Sequence, residues 1–408
     1  MQLLYILLVL LFVTRFAGEL AVRFGQPALI GELLSGVALG VIATQYSDTL
    51  PVIAALPENE VFGGLTDLAI FFLMLLAGVE MSPRQLSRAS RPAMGVAVGG
   101  LLLPLASGLA LGWWFIPESD YRAAQVFFLA TALSVTAIPV TVRMLMDLDR
   151  LDSPVGRTIM SAAVFDNVLI LIVLAILTAM LQTGQLPDLV SLAGLLLRVT
   201  LFFVVAGVAG YWLFPRLGRL VRRSKVAEFD FSGLLIVGLA YSVIAELLVI
   251  HFILGDFIAW LFFDRKTIEP RIYEVVRSRL ETCTSGFLAP LFFASIGLHL
   301  DTSAVTEVPQ FLILLVVLAL AAKLLGAGLP AYWSGLGARD AIGVGSGMAA
   351  RGAVELVIAD IALRAGLFSH PEPTPPVIAN MFSAVVLMAV LTTLITPIVL
   401  KRALVQGP

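Results

Sequence analysis

The 408-residue sequence has one cysteine, three histidines and 13% charged residues, about half the charged share of an ordinary soluble domain. Each scarcity closes off a class of function. A lone Cys283 can form neither an internal disulfide nor a cysteine-based metal site, and its apolar surroundings read as those of a small core residue. His251, His299 and His370 fall at span ends or in loops without metal-ligand spacing, which suits solvated or capping side chains rather than sensors. There is no P-loop or hydrolase motif, and the glycines between 343 and 347 sit in an apolar helix rather than after a soluble strand. The chain thus reads as no enzyme and implies no cofactor. A formal charge of −2 gives no reason to expect a nucleic-acid partner.

What the chain has is apolar length. Hydrophobic residues make up 59% of it, the mean hydropathy is +0.99, and runs such as FLILLVVLALAAKLLGAGL (311–329) match bilayer spans of about 20 residues. The runs are unbroken rather than alternating, so they are helices and not barrel strands. The fold class is an all-α polytopic membrane protein, with the lipid bilayer as solvent. Hydropathy windows predict thirteen helices near 2–22, 27–44, 60–80, 92–116, 121–146, 154–182, 188–214, 229–250, 252–263, 275–299, 308–334, 340–366 and 376–400. The first lacks a basic leader and carries Arg15 and Glu19, which argues for a retained helix over a cleaved signal. Alternate loops separate by charge: SPRQLSRASR, RLGRLVRRSK and the tail KRALVQGP are basic, whereas IPESDYR, LDTSAVTEVPQ and SHPEPTPP are not. Basic loops face the cytosol, so the N-terminus is expected outside and the C-terminus inside.

Helices four to six and eleven to thirteen form two triplets that enter the membrane from opposite sides, the signature of an inverted repeat. The middle helix of each carries helix-breaking chemistry: Ser134, Thr136 and Pro139 in TALSVTAIPVTV, and Gly343, Gly345 and Gly347 in IGVGSGMAARG. Broken helices expose carbonyls and half-helix dipoles that can coordinate a cation where they line a cavity.

Ionisable groups inside a bilayer are costly and so need partners or a task. Arg15 with Glu19, Arg351 with Glu355, and Asp360 with Arg364 are spaced four apart and can pair along one helical face. Glu32 is a lone acid expected to meet Arg351 or Arg198 across helices. Asp166 in the sixth helix and Lys323 in the eleventh have no opposite charge within a turn, which suits a mutual pair with a role in transport. Asn167, directly after Asp166, offers an amide oxygen but cannot carry a proton near neutral pH.

The segments GQPALIGELLSGVALG (25–40), TALSVTAIPVTVRMLMDLDRLDSPVGRTIMSAAVFDNVLILIVLA (131–175), LAPLFFASIGLHLD (288–301) and GMAARGAVELVIADIAL (347–363) resemble the monovalent cation:proton antiporter superfamily, closest to its second family of Kef-like and sodium/proton exchangers. The resemblance covers essentially the whole chain. It implies a thirteen-helix inverted-repeat antiporter fold with two crossed broken helices, normally a homodimer in a bacterial inner membrane. Residues 1–90 and 229–302 would form the dimerisation domain, 91–186 and 303–408 the two core repeats, and 187–228 a linker helix. The transported ions would be Na⁺ or K⁺ and H⁺. By motif position Asp166 and Asn167 match the acidic dyad or Asn-Asp pair of the sixth helix, Lys323 its lysine partner, Thr136 and Pro139 the first break, and Arg351 follows the second.

One position departs from that pattern: the carboxylate expected to exchange cation for proton is the amide Asn167. Three readings fit: Asp166 takes over the carrier role, assisted by Glu355 or Glu32; the chain is a transport-impaired Asp-to-Asn variant; or it is a homologue that no longer moves protons. Two other classes also fit the residues. One is a sodium-coupled organic-anion symporter with Arg351 as anion binder. The other is a channel-like or sensory subunit governed by a separate cytosolic regulatory subunit.

Overall fold

The computed structural model describes residues 2–45, 55–56, 59–79, 91–148, 150–151, 153–184, 188–223, 228–248, 252, 255, 259, 263 and 270–405. In chain order its principal helices are α1 (Gln2–Arg23), α2 (Ala28–Gln45), α3 (Glu60–Val79), α4 (Arg91–Phe115), α5 (Arg122–Ser134), α6 (Ile138–Asp147), α7 (Pro154–Thr183), α8 (Leu189–Arg223), α9 (Phe229–Leu247), α10 (Pro270–Cys283), α11 (Ala289–Leu298), α12 (Pro309–Trp333), α13 (Ala338–Gly347), α14 (Ala353–Arg364) and α15 (Met381–Val405). No strand occurs among the described residues. Eight of these helices are long and apolar enough to cross a membrane. The remaining predicted spans appear as α2, as the composite α10–α11 and as two helices broken in the middle. The short ninth span, 252–263, lies almost wholly outside the described residues.

The chain divides into two compact units that interleave in sequence, residues 1–83 with 193–300 and residues 84–192 with 301–408. In the first, α11 packs on α1, α2 and α3. Its core is formed by Ile6, Leu10, Phe62, Leu291 and Ala294. Helices α2 and α11 touch backbone to backbone, because a Cβ on Gly36 would collide with the Ala294 carbonyl and one on Gly297 with that of Leu33. Between α10 and α11 lies a π-helical turn, Thr284–Leu288. Pro290, in the first turn of α11, has no N–H for the Gly286 carbonyl, and the ladder shifts so that Ala289 N–H donates to Thr284. Arg15 caps one of the disturbed carbonyls, donating to Ser285 O at 3.0 Å.

Three expectations are overturned in this unit. Arg15 does not pair with Glu19; it forms an ion pair at 3.1 Å with buried Glu32 of α2, and Glu19 bonds Arg23 instead. The close α1–α2 packing explains this, since Gly18 and Gly31 bring the two backbones together and seat Glu32 against α1. Glu32 is therefore satisfied within this unit by Arg15, not by Arg351 or Arg198. Cys283 is exposed rather than core: the buried stripe runs Tyr273, Val276, Leu280, Thr284, and Cys283 lies beside it.

In the second unit α4 packs along α12, and both touch neighbours in their own repeat: α4 meets α5 and α7, and α12 meets α13 and α15. The seam is lined by small residues, Ala93, Ala97, Ala327 and Ala331 among them. At its centre a Cβ on Gly99 would strike the Gly326 carbonyl, and one on Gly326 the Gly99 carbonyl. Small residues allow such approach where lipid supplies no hydrophobic drive for helix association. Helix α7 is bounded by local signals: Ser153 Oγ accepts from Gly156 N–H at 3.1 Å, Pro154 opens the first turn, and Gly184 closes the last with φ of 72°.

Gly99→Val is expected to destabilise the protein by about 1–3 kcal/mol through overpacking, whereas Gly64→Ala, on an open part of α3, is neutral or slightly stabilising. Thermal unfolding in detergent checks both, and a Gly99→Val protein as stable as the parent removes the seam from the account.

Candidate functional site

Both broken helices lie in the second unit. The first stops at Ser134, runs extended from Val135 to Ala137, and resumes at Ile138 with Pro139 in its first turn. The proline suits a helix start, where its missing N–H has no intrahelical partner to lose. The second stops at Gly347 and resumes at Ala353, with Met348 to Gly352 between. The two interruptions are bonded to each other. Ala137 N–H donates to Ala350 O at 2.9 Å, the Thr136 hydroxyl to Met348 O at 3.2 Å, and the Thr141 hydroxyl to Gly347 O at 2.6 Å.

The glycines expected to make the second break do something else. Gly343, Gly345 and Gly347 all lie inside helical α13. They let neighbours approach: a Cβ on Gly345 would meet the Leu324 backbone of α12, and those on Gly343 and Gly347 would meet Leu404 and Ile159. The interruption follows them, where Arg351 turns inward.

Arg351 is fully buried. Its Nη1 donates to Ala132 O at 2.8 Å and to Val135 O at 2.6 Å, and its Nη2 to Leu133 O at 2.7 Å. These carbonyls end α5, where the last turn of a helix lacks intrahelical donors and carries partial negative charge. One turn on, Glu355 lies 3.6 Å from Arg351 Nε, also fully buried. It occupies the first turn of α14, where a carboxylate meets the positive end of the helix dipole. The pair is too long for a hydrogen bond, and neither Glu355 oxygen has a hydrogen-bond partner among the described residues. Thr393 on α15 completes the anchorage by donating its hydroxyl to Arg351 O at 3.3 Å.

Lys323, likewise fully buried on α12, donates from Nζ to Thr136 Oγ1 at 2.7 Å and stands 3.6 Å from Asp166 Oδ2. Asp166 on α7 is 0% exposed, and neither of its oxygens has a hydrogen-bond partner among the described residues. Asn167 follows it and is partly buried. Asp166, Lys323, Arg351 and Glu355 form one electrostatically coupled set, with two charges of each sign. Ser134 ends α5 and bonds back to Ala130 O at 2.8 Å, so its hydroxyl serves the helix end. Asp360 and Arg364 pair at 2.6 Å on α14.

Sequence reasoning anticipated the Asp166–Lys323 and Arg351–Glu355 pairs. It missed Thr141 and Thr393, because a hydroxyl in an apolar helix usually bonds the carbonyl a turn back. It also missed the carbonyl clamp of Arg351, whose acceptors lie more than 200 residues away in sequence. That clamp leaves Arg351 poorly placed to bind an anion, because its terminal nitrogens are committed to backbone.

A family model described as the transmembrane sodium/hydrogen exchanger matches residues 6–406. The Na⁺/H⁺-K⁺ antiporter GerN of Bacillus cereus is 30% identical over 389 residues, covering 95% of this chain and 92% of that protein. The Na⁺/H⁺ antiporter of Enterococcus hirae is 27% identical over 401 residues and is covered to 98%, as is this chain. In fold, the chain is similar to the solved sodium proton antiporter MjNhaP1 of Methanocaldococcus jannaschii, with a TM-score of 0.70 over 98% of this chain and 97% of that one at 17% identity.

Arg351→Gln strips donors from the end of α5 and leaves Glu355 buried without its cation, a loss on the order of 3–5 kcal/mol. Glu355→Gln leaves the carbonyl clamp whole and is expected to cost less, about 1–3 kcal/mol. Unfolding of the two variants, measured side by side in detergent, tests the ranking; equal losses argue against the clamp.

Proposed function

Because the chain belongs to the sodium/hydrogen exchanger family, we propose that it exchanges a monovalent cation, Na⁺ or K⁺, for H⁺ by alternating access, with Asp166 as the group that both ions share. It is a multi-pass membrane protein, and the reading extends the likeness to relatives named as antiporters. The observation that carries it is the state of Asp166: a carboxylate with no exposure and no hydrogen-bond partner among the described residues, balanced by one lysine at 3.6 Å. A buried carboxylate this poorly satisfied gains from any proton or metal ion that reaches it.

Competition at one carboxylate couples the two movements. With a proton on Asp166 the coupled set carries a net charge of one; with a cation bound to ionised Asp166 it carries the same. Asn167 adds no charge in either form, so one cation exchanges for one proton without net charge transfer. The amide instead offers a neutral oxygen to the cation. Thr136 is a third oxygen at the site, already bonded to Lys323, and the α5 carbonyls are taken by Arg351. Lys323 competes with the cation for Asp166 and so sets the proton concentration at which exchange begins. The proposal also includes the homodimer, the bacterial inner membrane, a cytoplasmic C-terminus and room for a regulatory subunit in trans, all following from the resemblance and the loop charges.

In proteoliposomes with an imposed pH gradient, Na⁺, K⁺ or Li⁺ is expected to collapse the gradient, and Asp166→Asn to abolish the response; a variant that keeps its flux sinks the assignment. Lowering the pH should raise the cation concentration for half-maximal exchange, since protons occupy the shared carboxylate. Lys323→Ala should displace that pH profile, and an unchanged profile takes the lysine out of the mechanism. Asn167→Asp should make exchange respond to membrane potential if the added carboxylate takes a second proton in the proton-loaded half of the cycle and gives it up in the cation-loaded half, so that two protons cross for one cation; a voltage-indifferent variant means that this carboxylate keeps one protonation state throughout.

A further inference from the structure

Away from the buried charges, the last two turns of α4 and the start of α5 enclose an apolar cleft of about 490 Å³, lined by Leu109, Ala110, Trp113, Trp114, Val126 and Phe127. Trp113 and Trp114 are 64% and 85% exposed. Beyond Phe115 and Ile116 the chain turns polar, with Glu118, Ser119 and Asp120. Paired tryptophans at such a boundary mark the headgroup level of a bilayer, and the cleft runs from there toward the hydrocarbon. Against one of its lining residues, Trp113, lies a fixed cation whose side chain is 17% exposed. The Arg122 guanidinium lies 4.4 Å over the Trp113 ring and donates from Nη2 to Trp113 O at 2.7 Å, while its buried Nε has no partner among the described residues. Glu118, its side chain 94% exposed, accepts from Arg122 Nη1 at 3.4 Å, and Asp120, two residues on in the chain, is exposed.

We propose that this cleft holds one acyl chain of a zwitterionic phospholipid with a primary-ammonium headgroup, its phosphate against Arg122 and its ammonium against Glu118 and Asp120. The charge order selects the occupant. An anionic headgroup would gain Arg122 but face two carboxylates, whereas a phosphate with an ammonium beyond it meets opposite charges at both positions. A quaternary ammonium carries no N–H and so offers the carboxylates a weaker partner than a primary one. The lipid would lie at the head of the helix whose other end is the first break at Ser134.

Tryptophan quenching reads the occupant directly. With Trp212, Trp260 and Trp333 replaced by phenylalanine, the protein is placed in phosphatidylcholine nanodiscs containing a small fraction of lipid brominated along its chains. The brominated lipid carries an ethanolamine, choline or glycerol headgroup. The ethanolamine lipid is expected to quench at an about two- to fivefold lower fraction than the others, the scale of one or two partly exposed charge pairs. Glu118→Gln combined with Asp120→Asn, both exposed and harmless to folding, should erase that difference while transport persists. Arg122→Gln should weaken quenching by the ethanolamine lipid most. Equal quenching by all three headgroups means ordinary boundary lipid and overturns the proposal. So does a glycerol headgroup that quenches best, or an ethanolamine preference that survives the double substitution.

Discussion

The guanidinium of Arg351 holds together what the rest of the site depends on. A helix interrupted within a bilayer leaves carbonyls that protein or a water-lined cavity has to satisfy. Here three of them, Ala132 O, Leu133 O and Val135 O, converge on one side chain from the other broken helix. That contact fixes the end of α5 and the start of α14 with respect to each other. It brings Thr136 to Lys323 and places Glu355 next to the arginine that neutralises it. Take the guanidinium away and, among the described residues, the hydrogen bonds left between the two interruptions are those of Ala137, Thr136 and Thr141.

The buried charges are balanced as a set more than as pairs. Both ion pairs are 3.6 Å long and neither is a hydrogen bond. Arg351 and Lys323 take their close contacts from neutral oxygens, while the carboxylates of Asp166 and Glu355 take none among the described residues. The arrangement thus anchors its cations and leaves its anions under-satisfied. Buried carboxylates left under-satisfied favour small positive charges, and the exchange we propose rests on that. Helix dipoles support the same asymmetry, with Arg351 at a negative helix end and Glu355 at a positive one.

Much of this was legible in the sequence because membranes make periodicity and charge unusually informative. Apolar length placed the helices that lie among the described residues, although α8 continues to Arg223, well past its expected end at 214, and isolation on their own helices singled out Asp166 and Lys323. The errors arose where a local rule met a tertiary contact. Glycines at 343, 345 and 347 look like breakers, yet α13 needs them to pass α12 and α7, and a glycine wanted for close packing carries the same letter as one wanted for a break. Arg15 and Glu19 have ideal spacing for a pair, but the near contact of α1 with α2 offers Arg15 a buried carboxylate that spacing cannot reveal. The partners of Arg351 are backbone atoms, and a backbone acceptor leaves no mark on the residue that supplies it.

The hydroxyl of Thr136 has a consequence for how fast the site can turn over. Lys323 lies closer to that hydroxyl, at 2.7 Å, than to the carboxylate, at 3.6 Å. In the exchange we propose, an ion that captures Asp166 would not oblige the ammonium to find new solvation, because its shortest contact is already with Thr136. The lysine is moored to one shore while facing the other, so unloading the carboxylate requires little rearrangement of the protein around it.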